Sequence, residues 1–113
     1  MIEIYHNPRC TKSRQGVALL EQQGVDFTVV KYLDDKLIKS ELKAIIEKLD
    51  IPPIDLVRKN EAIWKADYKG KDLTDDDIID AMVNYPKLVE RPIVVVDDKA
   101  VIGRPTERIL ELI

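Results

Sequence analysis

Hydrophobic and polar residues change their spacing twice within the first 32 residues. Ile2 to Tyr5 is a short apolar run, and Asp26 to Tyr32 is rich in β-branched and aromatic residues, so both segments predict strands. Between them, Thr11 to Gln23 carries apolar residues at helical spacing and is followed by Gly24, which is typical of a helix end. This strand-helix-strand order predicts two parallel strands joined by a right-handed connection.

The middle of the chain has the spacing of short helices. Ser40 is a candidate cap for a helix that runs to about Leu49, and a second helical piece is expected around Glu61 to Ala66. Thr74 begins a capping-box pattern with an aspartate at the third residue after it, followed by apolar residues at helical intervals. We therefore predict that residues 38 to 85 are helical throughout.

The pattern returns to strands near the end. Ile93 to Val96 and Ala100 to Ile102 are short apolar runs separated by a polar turn, which predicts a β-hairpin. Pro105 stands where a last helix, Thr106 to Leu112, is expected to begin. The resulting order is β-α-β, then a helical region at about 38–86, then β-β-α. This is the element order of an α/β protein with a thioredoxin-like fold and an all-helical insertion.

Composition narrows the class of protein. The 113 residues are 45% hydrophobic and 35% charged, which fits one soluble domain over 1–113 with its own core. The formal net charge of -3 disfavours a general nucleic-acid binder. We expect neither a signal peptide nor a membrane span. One cysteine excludes an internal disulfide and, with one histidine, argues against a zinc site, so we expect a cytoplasmic protein without a bound metal or cofactor.

The single cysteine lies in the segment with the strongest indication of chemistry. Cys10 directly precedes the first predicted helix, where unpaired backbone N–H groups and the helix dipole favour a thiolate. Arg9, Lys12 and Arg14 add positive charge nearby. We interpret Cys10 as a reactive nucleophile that meets an anion, against the alternative of a buried structural thiol. Ser13 stands where a second cysteine would complete C-x-x-C, so any adduct needs an external thiol for its resolution.

The residues around Cys10 have both a chemical and a structural interpretation. As an imidazolium, His6 would stabilise the thiolate, and otherwise it is a loop histidine without a role. Asn7 and Ser13 would donate hydrogen bonds to a thiolate or bound oxyanion, or they form a turn and part of a helix surface. The phosphate loop of low-molecular-weight tyrosine phosphatases needs an arginine at the sixth residue after the cysteine. Gly16 occupies that position, so that signature fails.

Three arginines are candidate oxyanion ligands. Arg91 precedes the predicted hairpin, Arg104 follows it, and Arg58 lies at the edge of the helical region. Each alone would be a solvated surface residue, but guanidinium groups that converge on a thiolate form an anion site. In thioredoxin-like proteins a cis proline before the hairpin strand lies against the active-site cysteine loop. This fold would therefore bring Arg91 next to Cys10.

In these segments the chain resembles the glutaredoxin-like arsenate reductases of bacteria. The resemblance covers nearly the whole sequence and rests on four segments in the right order: Tyr5-His6-Asn7-Pro8-Arg9-Cys10 with Lys12-Ser13-Arg14, Leu56-Val57-Arg58, Arg91-Pro92-Ile93-Val94-Val95 and Gly103-Arg104-Pro105. The chain is shorter than the plasmid-encoded members and is similar to the short chromosomal ones.

The resemblance implies a mechanism and a set of residues. Cys10 would attack arsenate, glutathione would attack the arsenic of the adduct, and glutaredoxin would reduce the mixed adduct so that arsenite leaves. Arg58, Arg91 and Arg104 match the arginines that hold the oxyanion. His6 matches the histidine credited with lowering the pKa of the cysteine. The implied partners are arsenate or a similar oxyanion, glutathione and glutaredoxin, without nucleic acid or membrane.

Two other functions stay open. Spx-type transcription regulators resemble the same fold and bind RNA polymerase, but they typically carry C-x-x-C where this chain has Ser13. A monothiol glutaredoxin-like protein acting on glutathionylated partners would not need the arginines, although the carboxylates of glutathione could pair with some of them. Ser13 and the retained arginines favour the reductase.

Overall fold

A four-stranded mixed sheet organises the first and last parts of the chain. Its spatial order is β2-β1-β3-β4, and its strands are β1 (Ile2–Tyr5), β2 (Thr28–Val30), β3 (Ile93–Val96) and β4 (Lys99–Ile102). β1 and β2 are parallel and are connected through α1 (Thr11–Gln22), whereas β3 is antiparallel to both β1 and β4. The predicted strand-helix-strand unit and hairpin are confirmed, although the second strand is shorter than Asp26 to Tyr32.

The computed structural model describes residues 1–35 and 37–113. The sheet and α1 belong to one compact unit, formed by Met1–Asp35 and Arg91–Ile113, and Lys36–Glu90 forms a second unit. Within the described ranges, no helix is both long and apolar enough to cross a bilayer. The single domain over 1–113 stays a prediction.

The core of the sheet-containing unit draws on both ends of the chain. Five side chains at its centre are each at most 5% exposed: Ile4, Leu20, Val94, Val101 and Ile109. The antiparallel register pairs Tyr5 with Ile93, and Ile93 with Ile102. The end of β1, the start of β3 and the end of β4 therefore meet at one edge of the sheet, and the loops that leave these three ends are neighbours.

The second unit consists of short helices separated by extended residues. Its elements are α2 (Lys39–Leu49), a 3-10 helix (Pro53–Leu56), α3 (Ala62–Asp67), α4 (Asp75–Asn84) and a second 3-10 helix (Pro86–Leu88). α4 contacts α2 and both 3-10 helices. Val57 and Val89 form an isolated antiparallel bridge. The prediction of a region helical throughout 38 to 85 is wrong, because prolines end the α-helical spacing and this bridge needs extended backbone.

The helix caps confirm one prediction and correct another. Thr74 Oγ1 accepts from the Asp77 N–H at 3.1 Å, and Asp77 Oδ2 accepts from the Thr74 N–H at 3.0 Å, so the predicted capping box is present. Ser40 is not a cap. Ile38 has the extended backbone of a cap residue, which starts α2 at Lys39 and leaves Ser40 inside the first turn.

The last segment is a 3-10 helix, Thr106–Glu111, rather than the predicted α-helix over Thr106 to Leu112. The Arg108 N–H donates to the Pro105 carbonyl at 3.1 Å, which is the tighter hydrogen-bond spacing of a 3-10 turn. So short a segment gains little from α-helical cooperativity. The fully buried Ile109 side chain anchors the segment to the core instead.

Candidate active site

Cys10 lies at the junction between a tight turn and α1. Its backbone is extended (φ -96°, ψ 122°), so it occupies the cap position of the helix, and its side chain is partly buried. The Cys10 N–H donates to the Asn7 carbonyl at 3.0 Å, and the Arg9 N–H donates to Asn7 Oδ1 at 3.0 Å. Asn7 therefore forms the turn that presents the sulfur, which was the structural interpretation of this residue.

Three buried polar residues form a hydrogen-bonded group next to this turn, which we call the His6–Asn7–Ser13 cluster. Ser13 Oγ lies 2.6 Å from His6 Nδ1 and accepts from the Asn7 N–H at 3.0 Å. Ser13 is 0% exposed, so its interpretation as a helix-surface serine is wrong. The cluster ties the first turn of α1 to the residues that follow β1.

Arg91 and Arg104 reach the sulfur from the two ends of the hairpin. Arg91 precedes β3 and is buried, and Arg104 follows β4. Arg104 Nη2 lies 3.5 Å from Cys10 Sγ, and Arg104 Nε donates to the Arg91 carbonyl at 2.7 Å. These two of the three candidate arginines thus lie beside Cys10, as the predicted fold requires. The peptide bonds Arg91-Pro92 and Arg104-Pro105 are both cis.

The surroundings of Cys10 favour its thiolate. Burial raises the pKa of the thiol, but three groups outweigh it. These are the backbone N–H of Ser13, the guanidinium of Arg91, which also hydrogen-bonds the sulfur, and the guanidinium of Arg104. The pKa of Cys10 is therefore below that of an ordinary thiol, in the predicted direction. A lowered pKa raises the fraction of nucleophilic thiolate at neutral pH.

Arg14, one of the cations near Cys10 in the sequence, is directed elsewhere. It donates from Nη1 to the Pro8 carbonyl at 3.0 Å and from Nη2 to Thr11 Oγ1 at 3.2 Å. Arg14 thus stabilises the turn before Cys10 through exposed hydrogen bonds. The guanidinium groups that lower the pKa of Cys10 come from the distant hairpin instead.

The ring of His6 is kept neutral by its surroundings. Burial lowers its pKa, the charges of Lys31 and Arg14 lower it further, and a hydrogen bond with the Ser13 backbone raises it without cancelling them. The ring contacts Ser13 Oγ through Nδ1. These observations argue against the imidazolium that the sequence suggested.

Pro92 is the proline that the thioredoxin-like topology predicts against the cysteine loop, and it packs closely against two glycines. A Cβ added at Gly16 would lie 2.9 Å from Pro92 Cγ, and one added at Gly103 would lie 3.0 Å from the same atom. The Pro92 ring therefore sits between α1 and the end of β4 with no room for a methyl group on either side. Gly16 inside a helical pattern was the available signal, because a mid-helix glycine often marks a close approach.

Arg58 belongs to the second unit, Lys36–Glu90. Its Nη1 lies 3.0 Å from Glu61 Oε1, and its Nε lies 3.6 Å from Glu90 Oε1. Its backbone N–H donates to the Leu88 carbonyl at 2.7 Å. Two carboxylates thus orient this guanidinium within its own unit, and its part in oxyanion binding stays a prediction.

The site brings one thiol together with cationic side chains. In residues 1–35 and 37–113, no three His, Cys, Asp or Glu side chains are grouped so that they could hold a metal ion. A partly buried sulfur with two adjacent guanidinium groups can attack an electrophilic centre while the cations hold its oxygen atoms.

The sequence model of the ArsC family matches residues 5–112. The chain belongs to the ArsC family. An arsenate reductase of Neisseria meningitidis serogroup A is 42% identical over 96% of this chain and 94% of its own length. YfgD of Escherichia coli, named as uncharacterized, is 41% identical over 99% of this chain and 96% of its own.

Solved structures give the same family. The arsenate reductase from Vibrio cholerae superposes with a TM-score of 0.95 at 42% identity, over 99% of this chain and 97% of that one. The family resemblance and the thioredoxin-like fold predicted from the sequence are both confirmed. Within the family, the geometry around Cys10 shows how this chain presents its thiol.

Proposed function

We propose that this ArsC-family protein reduces arsenate, or a similar oxyanion, with Cys10 as the nucleophile. The observation that carries the proposal is the approach of Arg104 Nη2 to within 3.5 Å of Cys10 Sγ, with the Arg91 guanidinium beside the same sulfur. Relatives at about this similarity are named arsenate reductases. A thiolate between two guanidinium groups suits a nucleophile whose substrate is a dianion.

The first step is a substitution at arsenic without a change of oxidation state. The Cys10 thiolate forms a sulfur–arsenic bond, and one arsenate oxygen leaves as water after protonation. Arg91 and Arg104 pair with the remaining oxygens and balance their negative charge. Arg58 is the third such arginine by the family resemblance. Ser13 takes part through its backbone N–H, which stabilises the thiolate before attack and when it is released.

The electrons come from external thiols, because the chain has a single cysteine. Glutathione displaces a second oxygen as water and gives an arsenic(V) bound to both sulfurs. A glutaredoxin thiolate then attacks the glutathione sulfur, and the electron pair of its arsenic bond stays on arsenic. Arsenic(V) becomes arsenic(III), and the two thiols become a mixed disulfide. Water replaces Cys10 on arsenic, so that arsenite and the thiolate are released. Glutathione and glutaredoxin are kept reduced in the cytoplasm, so the proposal places the reaction there.

The test is a coupled assay with purified protein, arsenate, glutathione, glutaredoxin and the NADPH-linked system that regenerates glutathione. We expect arsenate-dependent NADPH oxidation, which Cys10→Ser abolishes. Arg108→Ala serves as the matched control, because Arg108 is exposed and its ion pair within the described part of the chain is with Glu111, away from Cys10 in the sequence.

The alternatives predict other results in the same preparation. If NADPH oxidation does not depend on arsenate, the reductase proposal is wrong. Reduction of a glutathionylated peptide in its place would indicate a monothiol glutaredoxin. Binding to RNA polymerase with no turnover would indicate an Spx-type regulator.

A further inference from the structure

The hydroxyl of Ser13 has one proton to donate, and the structure determines where it goes. A serine oxygen has one donor hydrogen and two acceptor lone pairs. The Asn7 N–H uses one lone pair at 3.0 Å, and His6 Nδ1 lies 2.6 Å away. Either the serine donates to an unprotonated Nδ1, or a protonated Nδ1 donates to the serine.

Burial decides between the two arrangements. If Nδ1 carried a proton, both lone pairs of Ser13 Oγ would be filled, and the hydroxyl hydrogen would need a further acceptor. Ser13 is 0% exposed, and the described residues offer its oxygen no partner besides Asn7 and His6. A buried donor without an acceptor is costly. The serine therefore donates to Nδ1, and His6 is the neutral tautomer with its proton on Nε2.

The same hydroxyl also holds the turn that presents Cys10. Ser13 Oγ holds the Asn7 N–H, and the Asn7 carbonyl in turn accepts from the Cys10 N–H at 3.0 Å. The Ser13 residue also supplies the backbone N–H that stabilises the thiolate. One oxygen atom thus connects the turn before the sulfur to the N–H group after it.

We propose that Ser13 is a positioning residue for Cys10: its hydroxyl accepts from the Asn7 N–H and donates to Nδ1 of a neutral His6, and this holds the turn that presents Cys10 against the first turn of α1. His6 then acts on the thiol through this geometry and not through a positive charge. The inference deepens the proposed function, because it concerns the same thiol. It predicts that charge on His6 contributes nothing to thiolate formation, and that the hydroxyl of Ser13 does.

Other charged groups around the cluster are cations. Lys31 and Arg14 act on His6, and Arg91 and Arg104 act on Cys10. Lys31 and Arg14 thus disfavour a positive charge on the ring. The positive charge that the thiolate needs is already supplied by the two hairpin arginines, which leaves a neutral histidine free to serve as a hydrogen-bond acceptor.

Iodoacetamide alkylation against pH tests the proposal without arsenate, glutathione or glutaredoxin. With one cysteine in the chain, the rate reports only on Cys10. We expect Ser13→Ala to raise the midpoint by about one pH unit, which is about a tenfold lower rate below the midpoint. His6→Asn keeps an acceptor near the Nδ1 position and cannot be charged, so we expect a distinctly smaller shift.

Nitrogen-15 NMR of the wild-type imidazole is the second measurement, and it does not depend on a variant that folds. The chain has one histidine, so the ring signals need no assignment. We expect an unprotonated Nδ1 and a protonated Nε2 across the pH range in which Cys10 ionises. A doubly protonated ring in that range overturns the proposal. So does an equal or larger midpoint shift in His6→Asn, or an unchanged midpoint in a folded Ser13→Ala. None of these results bears on arsenate turnover, which the coupled assay tests separately.

Discussion

Arg104 and Cys10 are 94 positions apart in the sequence, yet Arg104 Nη2 lies 3.5 Å from Cys10 Sγ. The contact exists because β1 and the hairpin are paired, so that the loop after β1 and the loop after β4 leave the sheet at the same edge. Arg104 is also held by the Arg91 carbonyl at 2.7 Å. The Arg104 guanidinium is therefore fixed to the backbone of Arg91, the residue that supplies the other guanidinium of the site.

Replacement of Arg104 tests this connection. We expect Arg104→Ala to lower kcat/KM for arsenate by roughly 10- to 100-fold, because a charge-assisted hydrogen bond to the reacting group is lost. Arg104→Lys keeps the charge but loses the Nε–H bond to Arg91, so its loss should be intermediate. Steady-state kinetics checks both, with Arg108→Ala as the control. Equal rates for Arg104→Ala and the wild type would remove Arg104 from the site.

Gly16 should be intolerant of a methyl group. In Gly16→Ala the new Cβ would lie 2.9 Å from Pro92 Cγ and 3.2 Å from Ile4 Cδ1. We expect the overpacking to cost about 1–3 kcal/mol of unfolding free energy, despite a helix-propensity gain of about 1 kcal/mol. Because Pro92 follows Arg91, the midpoint of Cys10 alkylation should also rise.

Gly70→Ala is the matched control for that variant. Gly70 has φ +80° and nothing within 4 Å of an added Cβ, so its replacement strains the backbone without touching Pro92. We expect lower stability in urea denaturation and an unchanged thiol midpoint. A Gly16→Ala protein as stable as the wild type would contradict the close packing at Pro92.

His6 should make the fold sensitive to mild acid. Its pKa is lower in the folded protein than in the unfolded chain, where it is about 6.5. The unfolded state therefore binds more protons, so the contribution of His6 is complete above about pH 6.5 and is lost as the pH falls towards the folded pKa. Urea denaturation at several pH values should show this decline in the wild type and a flatter curve in His6→Asn. Parallel curves would show that His6 does not titrate differently on folding.

The two candidate helix caps make opposite predictions. Thr74→Ala removes a capping box, so we expect a loss of about 1 kcal/mol. Ser40→Ala removes an exposed hydroxyl inside the first turn of α2 and should change the free energy of unfolding by a few tenths of a kcal/mol at most. Denaturant titration of both variants measures the difference. A larger loss in Ser40→Ala would contradict the start of α2 at Lys39.

Local patterns predicted the elements that depend on neighbouring residues. The Thr74 capping box and the hairpin after Arg91 follow from side chains a few positions apart, and both are confirmed. The prediction that Ser40 caps α2 was wrong, because Ile38 has the extended backbone of the cap residue and the helix begins at Lys39. The 3-10 form of the last segment was not predictable, since it depends on how Ile109 packs into the core.

The site needed long-range information that only the fold supplies. The position of Arg91 and Arg104 beside Cys10 was predicted through the thioredoxin-like topology and the family resemblance. The engagement of Ser13 Oγ with His6 and the Asn7 N–H was not predicted, because a serine in a helix sequence shows nothing of its burial. The neutral state of His6 was not predictable from the sequence either, because the burial that lowers its pKa depends on how the chain packs.

The β-turn at Asp97 and Asp98, at the far end of the hairpin from the sulfur, has a chemical consequence. These two residues connect β3 to β4 and set the pairing of Val96 with Lys99 and of Ile93 with Ile102. An inserted residue would slide one strand past the other and send its side chains to the opposite face of the sheet. The length of this turn thus determines the spacing between the two guanidinium groups. We expect an insertion there, although it lies on the surface, to move Arg91 or Arg104 away from Cys10 and so to make the thiol less reactive.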